Sequence, residues 1–330
     1  MSGDSVNSAV APYDSNRLQS ELDRYQDWMD TNCETVYRIA TEARAKGLDL
    51  RDVVEIPRAE DLADRAEKLL EVDYLDGIKI ADDIRIMLAE KDRETSSIEM
   101  AVKVARAMHD KTGDIQKSID TGLRVGLAVL TEAVLVAPLE GIGRIQVLNN
   151  LDGSRFVSVD FCGPIRAAGG TAQALAVLIA DMIRRELGLA RYMPTDAEVE
   201  RVKEEFGLYR GGLQYRPPPE EIDMIVRACP VMVNGEETEK IECAGYREVR
   251  NIEGSRIRGG VMLVIGEGLC LKAPKIQRHT ERLKIPGWEF ISKVATKGKS
   301  KDAEASVSST RSIKTIDRYM DDIIAGRPVF

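Results

Sequence analysis

Apolar and polar residues along this chain repeat first with a helical period and then with an alternating one. Leu18, Leu22, Tyr25, Met29, Val36, Ile39 and Ala40 fall at near-helical spacing, and Gly47 marks the end of that helix. A second helix is predicted over 60–71, with Leu62, Ala66, Leu69 and Leu70 on one face, and a third and fourth over about 78–90 and 96–109. Thr112-Gly113-Asp114 breaks the pattern before a long apolar helix over about 115–136. From Gly143 the period changes to two. Residues 144–148 and 155–161 alternate around Asp152-Gly153, the signal of a β-hairpin. Helices follow at about 171–187, 196–206 and 220–229, the last entered through Pro217-Pro218-Pro219. Residues 231–233 and 240–243 read as short strands, and 260 to about 283 as a helix interrupted at Pro274.

This order predicts an α+β fold. A mostly helical N-terminal domain runs to about residue 138, and a mixed domain with small antiparallel sheets occupies 139–292. Residues 293–312 are rich in Lys, Ser and Ala and nearly free of bulky apolar groups, which predicts a flexible linker. Residues 313–330 read as the start of a truncated following domain, opening on a helix at 313–325. The chain has 330 residues, 43% apolar and 31% charged, a globular composition and not a disordered one. The apolar window 122–139 is interrupted by Arg124, Glu132 and Pro138, and 171–183 is too short to cross a bilayer, so no membrane segment is expected. The polar start, 1–16, lacks the order of a signal peptide. Five dispersed cysteines with no CxxC pair predict reduced thiols and a cytoplasmic protein.

Charge changes the picture through its distribution. The total is −8, and aromatics are only 5%, which argues against a small basic DNA-coating protein and against a base-stacking surface. Yet residues 1–110 hold 25 acidic and 15 basic side chains, whereas 241–330 hold 11 and 17. A C-terminal third that faces a polyanion is one reading, and ordinary fluctuation is the other.

Two motifs could carry chemistry. The first is Asp160-Phe-Cys-Gly-Pro-Ile-Arg-Ala-Ala-Gly-Gly-Thr171, a strand running directly into a helix. Gly169, Gly170 and Thr171 place small residues at a helix start, where unpaired amides and the helix dipole favour an anion, and Arg166 adds a guanidinium. The run is neither GxxxxGK[ST] nor GxGxxG, and close helix–strand packing explains the glycines equally well. The second is Arg256-Ile-Arg258-Gly259-Gly260. Two arginines at i and i+2 of an extended stretch point the same way and could clamp neighbouring phosphates. Downstream, Lys272, Lys275, Arg278 and Arg282 recur at three- and four-residue spacing, either a basic stripe or a solvated face.

Metal chemistry finds little support. The two histidines, His109 and His279, are far apart and read as helix-surface residues, and Cys229-Pro-Val-Met232 offers one thiol where a zinc knuckle needs two. The adjacent carboxylates Asp82-Asp83 and Asp321-Asp322 diverge by about 100° on a helix. No catalytic residue and no metal site are predicted within these residues.

Several longer strings bear a resemblance to a known family. DFCGPIRAAGGTAQALAVLIADMIRRELGLARYMPTDAEVER (160–201), LQYRPPPEEI (213–222), CPVMVNGEETE (229–239), GSRIRGGVMLVIGEGLCLKAPKI (254–276), GWEF (287–290) and DRYMDDIIAGRPVF (317–330) resemble the N-terminal region of the large subunit of archaeal DNA polymerase II, the family D polymerase. Met232 stands where some members carry a second cysteine. The resemblance implies a replicative DNA-directed DNA polymerase that uses Mg2+ and deoxynucleoside triphosphates on a template–primer. It implies a heterodimer with a small subunit that supplies 3′→5′ exonuclease activity. The family's polymerase centre lies beyond the matching region, so this chain is expected to be an N-terminal fragment, inactive alone, that contacts DNA or another subunit. Arg166, Gly169, Gly170, Thr171, Arg256, Arg258, Gly259, Gly260, Lys272 and Lys275 are the candidate phosphate contacts. The alternatives are an oligomerisation or interaction module without DNA contact, and a nucleotide-binding enzyme built on the 163–171 turn.

Overall fold

The computed structural model describes residues 15–49, 59–131 and 136–294, and the chain divides into two units, 1–57 and 58–330. The described part of the first unit is one long helix, α1 (Ser15–Ala45), followed by a turn at Gly47. Four-residue pairs run along its surface: Arg17 with Glu21 at 3.1 Å, Gln19 with Asp23 at 2.8 Å, and Arg38 with Glu42 at 3.0 Å.

In the second unit acidic and hydroxyl side chains set where helices begin. Asp61, Asp92 and Asp114 cap α2 (Leu62–Leu70), α4 (Arg93–Thr112) and α5 (Ile115–Leu130) by accepting from the third helical amide. The start of α3 (Ala81–Glu90) is held from outside, because the Glu67 carboxylate of α2 accepts from the amides of Ile80 (2.6 Å) and Ala81 (2.8 Å). Gly113 ends α4 in the left-handed region at φ 70°, where a side chain would be strained.

Apolar packing then gathers these elements around one helix. In α7 (Gly169–Glu186) every residue from Ala172 to Asp181 is buried, so this helix is enclosed on all sides. α4 and α5 cross it at short range. A Cβ on Gly122 of α5 would lie 3.0 Å from Ile183 of α7 and 2.6 Å from the Ala101 carbonyl of α4, and one on Gly126 only 3.0 Å from Ile179 of α7. On the far face of α4 and α5, a second apolar cluster joins Ala66, Leu69, Leu70, Leu75, Ile80 and Ile84 to Met100, Val104, Val125 and Val129.

The predicted hairpin forms β1 (Ile142–Asn149) and β2 (Arg155–Phe161), antiparallel, with Asn149 opposite Arg155. The sheet is not wholly antiparallel as expected: β3 (Met232–Asn234) lies parallel to β2, giving the order β1-β2-β3. The intervening chain makes this possible, since α7, α8 (Asp196–Leu208) and α9 (Pro219–Ala228) form a crossover long enough to bring the strand back in the same direction. Residues 240–243 do not form a strand, and only Glu242 bridges to Arg256.

Packing shows no break at residue 138. One apolar cluster runs from Ile98 and Leu123 through Val157 and Ile179 to Ile291. Across that position Arg124 of α5, 4% exposed, donates to the carbonyls of Pro138 (2.8 Å), Leu139 (2.6 Å) and Ile142 (3.0 Å) while pairing with Asp120 at 2.8 Å. It thereby ties α5 to the short helix α6 (Val136–Glu140) and to β1. The polar start at 1–14, the end of the long helix at 132–135, the linker from 295 onward and the helix expected at 313–325 lie outside the described residues.

The helix expected over 260–283 is three pieces: α10 (Gly259–Met262), a buried π-helical stretch Leu263–Cys270, and α11 (Ala273–Arg282). Pro274 does not interrupt it but sits in the first turn of α11, where a missing N–H costs no helical bond. A side chain at Gly260 would overlap the Phe161 carbonyl, so α10 approaches β2 backbone to backbone. We expect Gly260→Ala to lower unfolding stability by about 2–3 kcal/mol. Gly207, on the exposed face of α8 with open space around it, should behave oppositely, Gly207→Ala raising stability by about 0.5–1 kcal/mol. Urea titration of both variants checks the pair.

Candidate nucleic-acid interface

The first motif and the basic stripe downstream of the second meet in space at the start of α7. β2 passes through Cys162 into a tight 3₁₀ turn, Gly163–Ala168, and Gly169 turns at φ 76° with its Cβ position open to solvent. A Cβ on Gly170, in contrast, would overlap the Glu267 carbonyl and lie 3.1 Å from Lys272 Cε. The π-helical stretch therefore abuts the first turn of α7. Lys275, in the first turn of α11, donates from Nζ to Thr171 Oγ1 at 3.4 Å. Arg166 is half exposed, donates to the Gly212 carbonyl and stands 3.4 Å from the Glu267 carboxylate, which is 3% exposed and also accepts from the Gln214 amide at 2.9 Å. Arg166, Lys272 and Lys275 thus share the region around the α7 N-terminus, whose first-turn amides and dipole add positive potential. The stripe ends at Arg282, which binds Asp92 at 2.7 Å and Thr95 at 2.8 Å and so fastens α11 to the cap of α4. His279 is half-buried beside it, and burial pushes its imidazole below the usual histidine value.

The second motif divides. Arg256 is exposed, with its amide donating to Glu237 at 2.6 Å. Arg258 is fully buried and cannot reach a phosphate. The same-side expectation fails although Arg258, the N-cap of α10, keeps an extended backbone: the chain enters the interior after Arg256, and Ile257 and Arg258 are both fully buried. Gly259 and Gly260 are likewise buried; the Gly259 amide donates to Thr238 Oγ1 at 2.9 Å, and Gly260 packs against β2. Arg258, Gly259 and Gly260 are therefore structural residues.

What Arg258 does instead is join a buried charge network that the sequence pattern did not announce. Glu205 of α8 lies between two guanidinium groups, accepting from Arg201 Nε at 2.7 Å and from Arg258 Nε at 2.9 Å, with all three side chains fully buried. Arg258 also donates to the Asn234 side chain at the end of β3. Arg201 uses its other nitrogens on the carbonyls of Tyr246 (2.6 Å), Arg247 (3.1 Å), Gly254 (3.3 Å) and Arg256 (2.9 Å). Glu204 collects the amides of Ala244 (2.7 Å), Gly245 (2.9 Å) and Tyr246 (3.0 Å), and Glu198 holds Asn251 at 2.9 Å. One helix thus shapes the irregular segment 244–256 almost entirely through polar side chains. A fainter signal was present in the sequence. Glu198, Arg201 and Glu205 interleave with Val199, Val202 and Phe206, placing charges on the apolar face of a helix.

Other acidic side chains are engaged as well. Asp181, fully buried in α7, accepts from Arg184, Arg185 and Trp288 Nε1 (2.9 Å); Asp82 pairs with Arg85 and Asp83 with Lys103. Among the described residues no group of three or more His, Cys, Asp or Glu could hold a metal ion, and no helix is long and apolar enough to cross a membrane. The five cysteines are free thiols, and burial pushes Cys229 up to about 12 and Cys243 to about 11.

Removing one member of a buried ion pair leaves the other charged and unpaired. Glu205→Gln should therefore destabilise the protein by about 3–5 kcal/mol in denaturant titration. Glu204 gives a pH-dependent counterpart. Burial alone would raise its carboxyl, but three amide donors outweigh that and hold it below the usual glutamate value. Its contribution is then complete above the unfolded value of about 4.3 and is lost as pH falls through the lower folded value. Glu204→Gln should cost about 1–2 kcal/mol at pH 7 and progressively less below pH 4, read from thermal unfolding across pH.

Comparison with known proteins accounts for the long motif strings. A family model described as "DNA polymerase II large subunit DP2, N-terminal" matches residues 24–297. Curated relatives named DNA polymerase II large subunit include those of Thermoplasma acidophilum, 43% identical over 313 residues, and of Methanocella arvoryzae, 46% over 294; a third, from Methanothermobacter thermautotrophicus, is 41% identical over 310. These alignments cover 94%, 88% and 92% of this chain but 27%, 25% and 28% of the relatives, so the chain spans about a quarter of their length. The strings that form the α7 turn, the α10 approach and the π-helical stretch all fall inside the matched region, and the chain belongs to the family of DNA polymerase II large subunit N-terminal regions.

Proposed function

We propose that this chain acts as part of a DNA polymerase large subunit and that its own role is to contact the DNA backbone through the surface around the α7 N-terminus. The observation that carries this reading is the convergence of the 160–171 motif with the lysines of the basic stripe about a hundred residues away. Arg166, Gly169, Gly170 and Thr171 come from one, and Lys272 and Lys275 from the other, with Lys275 touching Thr171. Lysine and arginine side chains beside a helix N-terminus suit phosphate oxygens without reading base sequence. Arg256, exposed on the 244–256 segment, is a secondary candidate.

In this reading, template-directed synthesis from deoxynucleoside triphosphates proceeds elsewhere in the polymerase. Phosphoryl transfer of that kind uses two divalent ions held by convergent carboxylates. Of the buried carboxylates, Asp181, Glu205 and Glu267 face arginines and N–H donors instead, and Mg2+ would be held outside this segment. A small subunit as partner, 3′→5′ exonuclease activity in the heterodimer and a cytoplasmic location belong to the same proposal.

Fluorescence anisotropy with a labelled primer–template at several KCl concentrations tests this role. Lys272→Ala with Lys275→Ala should weaken binding and flatten the dependence of log K on log salt, by about 0.9 for each phosphate no longer neutralised. Unchanged affinity and slope would instead favour an interaction module that does not touch DNA. The purified chain with Mg2+, deoxynucleoside triphosphates and primed template should show no primer extension, and measurable extension would overturn the division of labour.

A further inference from the structure

One donor of the Glu205 network has no destination in the protein. Arg258 donates from Nε to Glu205 and from Nη1 to Asn234, whereas its Nη2 is buried and meets no protein acceptor. A guanidinium nitrogen of this kind carries two N–H groups, and enclosing them without an acceptor is costly. Arg258 also lines an internal cavity, and every other residue around that cavity is buried as well. Its walls are chiefly apolar, with Val202 of α8, Val226 of α9 and Val233 of β3 among them. Besides Arg258, the strongly polar side chains that line it are Tyr192 and Glu198. Burial and the Glu198 charge push the Tyr192 hydroxyl above the usual tyrosine range, and the Arg258 charge opposes them, so Tyr192 stays neutral in the field of both.

We infer that this cavity is a binding site for a single water molecule, which accepts from Arg258 Nη2 and donates to the Glu198 carboxylate and the Tyr192 hydroxyl. Size selects one water. Counted over the positions that a water centre can take, the cavity measures about 20 Å³. One water needs roughly 10–15 Å³ on that measure, so a second does not fit. The partners suit it too. Glu198 accepts from the Thr195 amide (2.6 Å), Thr195 Oγ1 (2.8 Å) and Asn251 (2.9 Å), which leaves room on a group with about four acceptor sites. Three hydrogen bonds are the usual complement of a buried water. Charge selects a neutral occupant. Arg201 and Arg258 are matched by Glu205 and Glu198, so an anion would face the Glu198 carboxylate and a cation would face Arg258. The water joins two sets of contacts made by α8: the one that reaches Arg258 and Asn234 through Glu205, and the one that holds Asn251 and the Thr195 cap through Glu198.

A crystal structure of the unaltered chain, at a resolution that places ordered water, tests the inference. The expected result is a single density peak inside the cavity, about 2.7–3.2 Å from Arg258 Nη2 and from an oxygen of Glu198 or Tyr192. An empty cavity overturns it, and so does an anomalous peak at that position after a bromide soak, which would make the occupant an anion. Deuteron magnetic relaxation dispersion gives the solution counterpart by counting waters held longer than the protein takes to tumble. Val226→Ile adds a methylene to the cavity wall and should lower that count by one. A folded variant with an unchanged count speaks against the site.

Discussion

The placement of Glu205 between Arg201 and Arg258 is the constraint on which the second half of the molecule depends. Two guanidinium groups and one carboxylate are all withdrawn from water, and the desolvation of three charges is not automatically offset by their attraction. The arrangement holds because most of the remaining donors have destinations, although Arg258 Nη2 stays buried without a hydrogen-bond partner from the protein. Arg201 reaches four backbone carbonyls and Arg258 reaches Asn234, so the network organises the 244–256 segment, which has no helix of its own, and ties α10 to β3. The 244–256 segment, β3 and the start of α10 are each fixed by a side chain that also touches Glu205 or its partners.

That network explains which parts of the fold were legible in the sequence. Periodicity located the helices and the Asp152-Gly153 hairpin because burial of one face dictates where apolar residues fall. It could not reveal where β3 would pair, since three residues carry almost no period and their direction depends on the crossover through α7, α8 and α9. Extrapolating strand alternation from Arg256 to Arg258 failed because the chain enters the interior after Arg256, so that Ile257 and Arg258 are both buried. Pro274 misled in the same manner, because proline breaks a helix interior yet fits a first turn.

The candidate interface was half readable. Arg166 and the Gly169-Gly170-Thr171 run announce a helix start suited to an anion, and Lys272 and Lys275 a basic helix edge. Nothing in their spacing says that the two adjoin. They do so because Gly170 lacks a side chain, which lets the Glu267 carbonyl sit against the first turn of α7 and carries the lysines alongside. The glycines thus serve two ends, close packing at Gly170 and Gly260 and an open, left-handed turn at Gly169.

The buried charges of α7 and α8 also bear on the order in which the chain can acquire its form during synthesis. Glu205 leaves the ribosome 53 residues ahead of Arg258, and Asp181 precedes Trp288 by 107. Until those later residues emerge, each carboxylate has only the arginines of its own helix, Arg201 for Glu205 and Arg184 and Arg185 for Asp181, and lacks the donor that completes its burial. The full set of hydrogen bonds around these two positions is therefore completed only once Arg258 and Trp288 have been made.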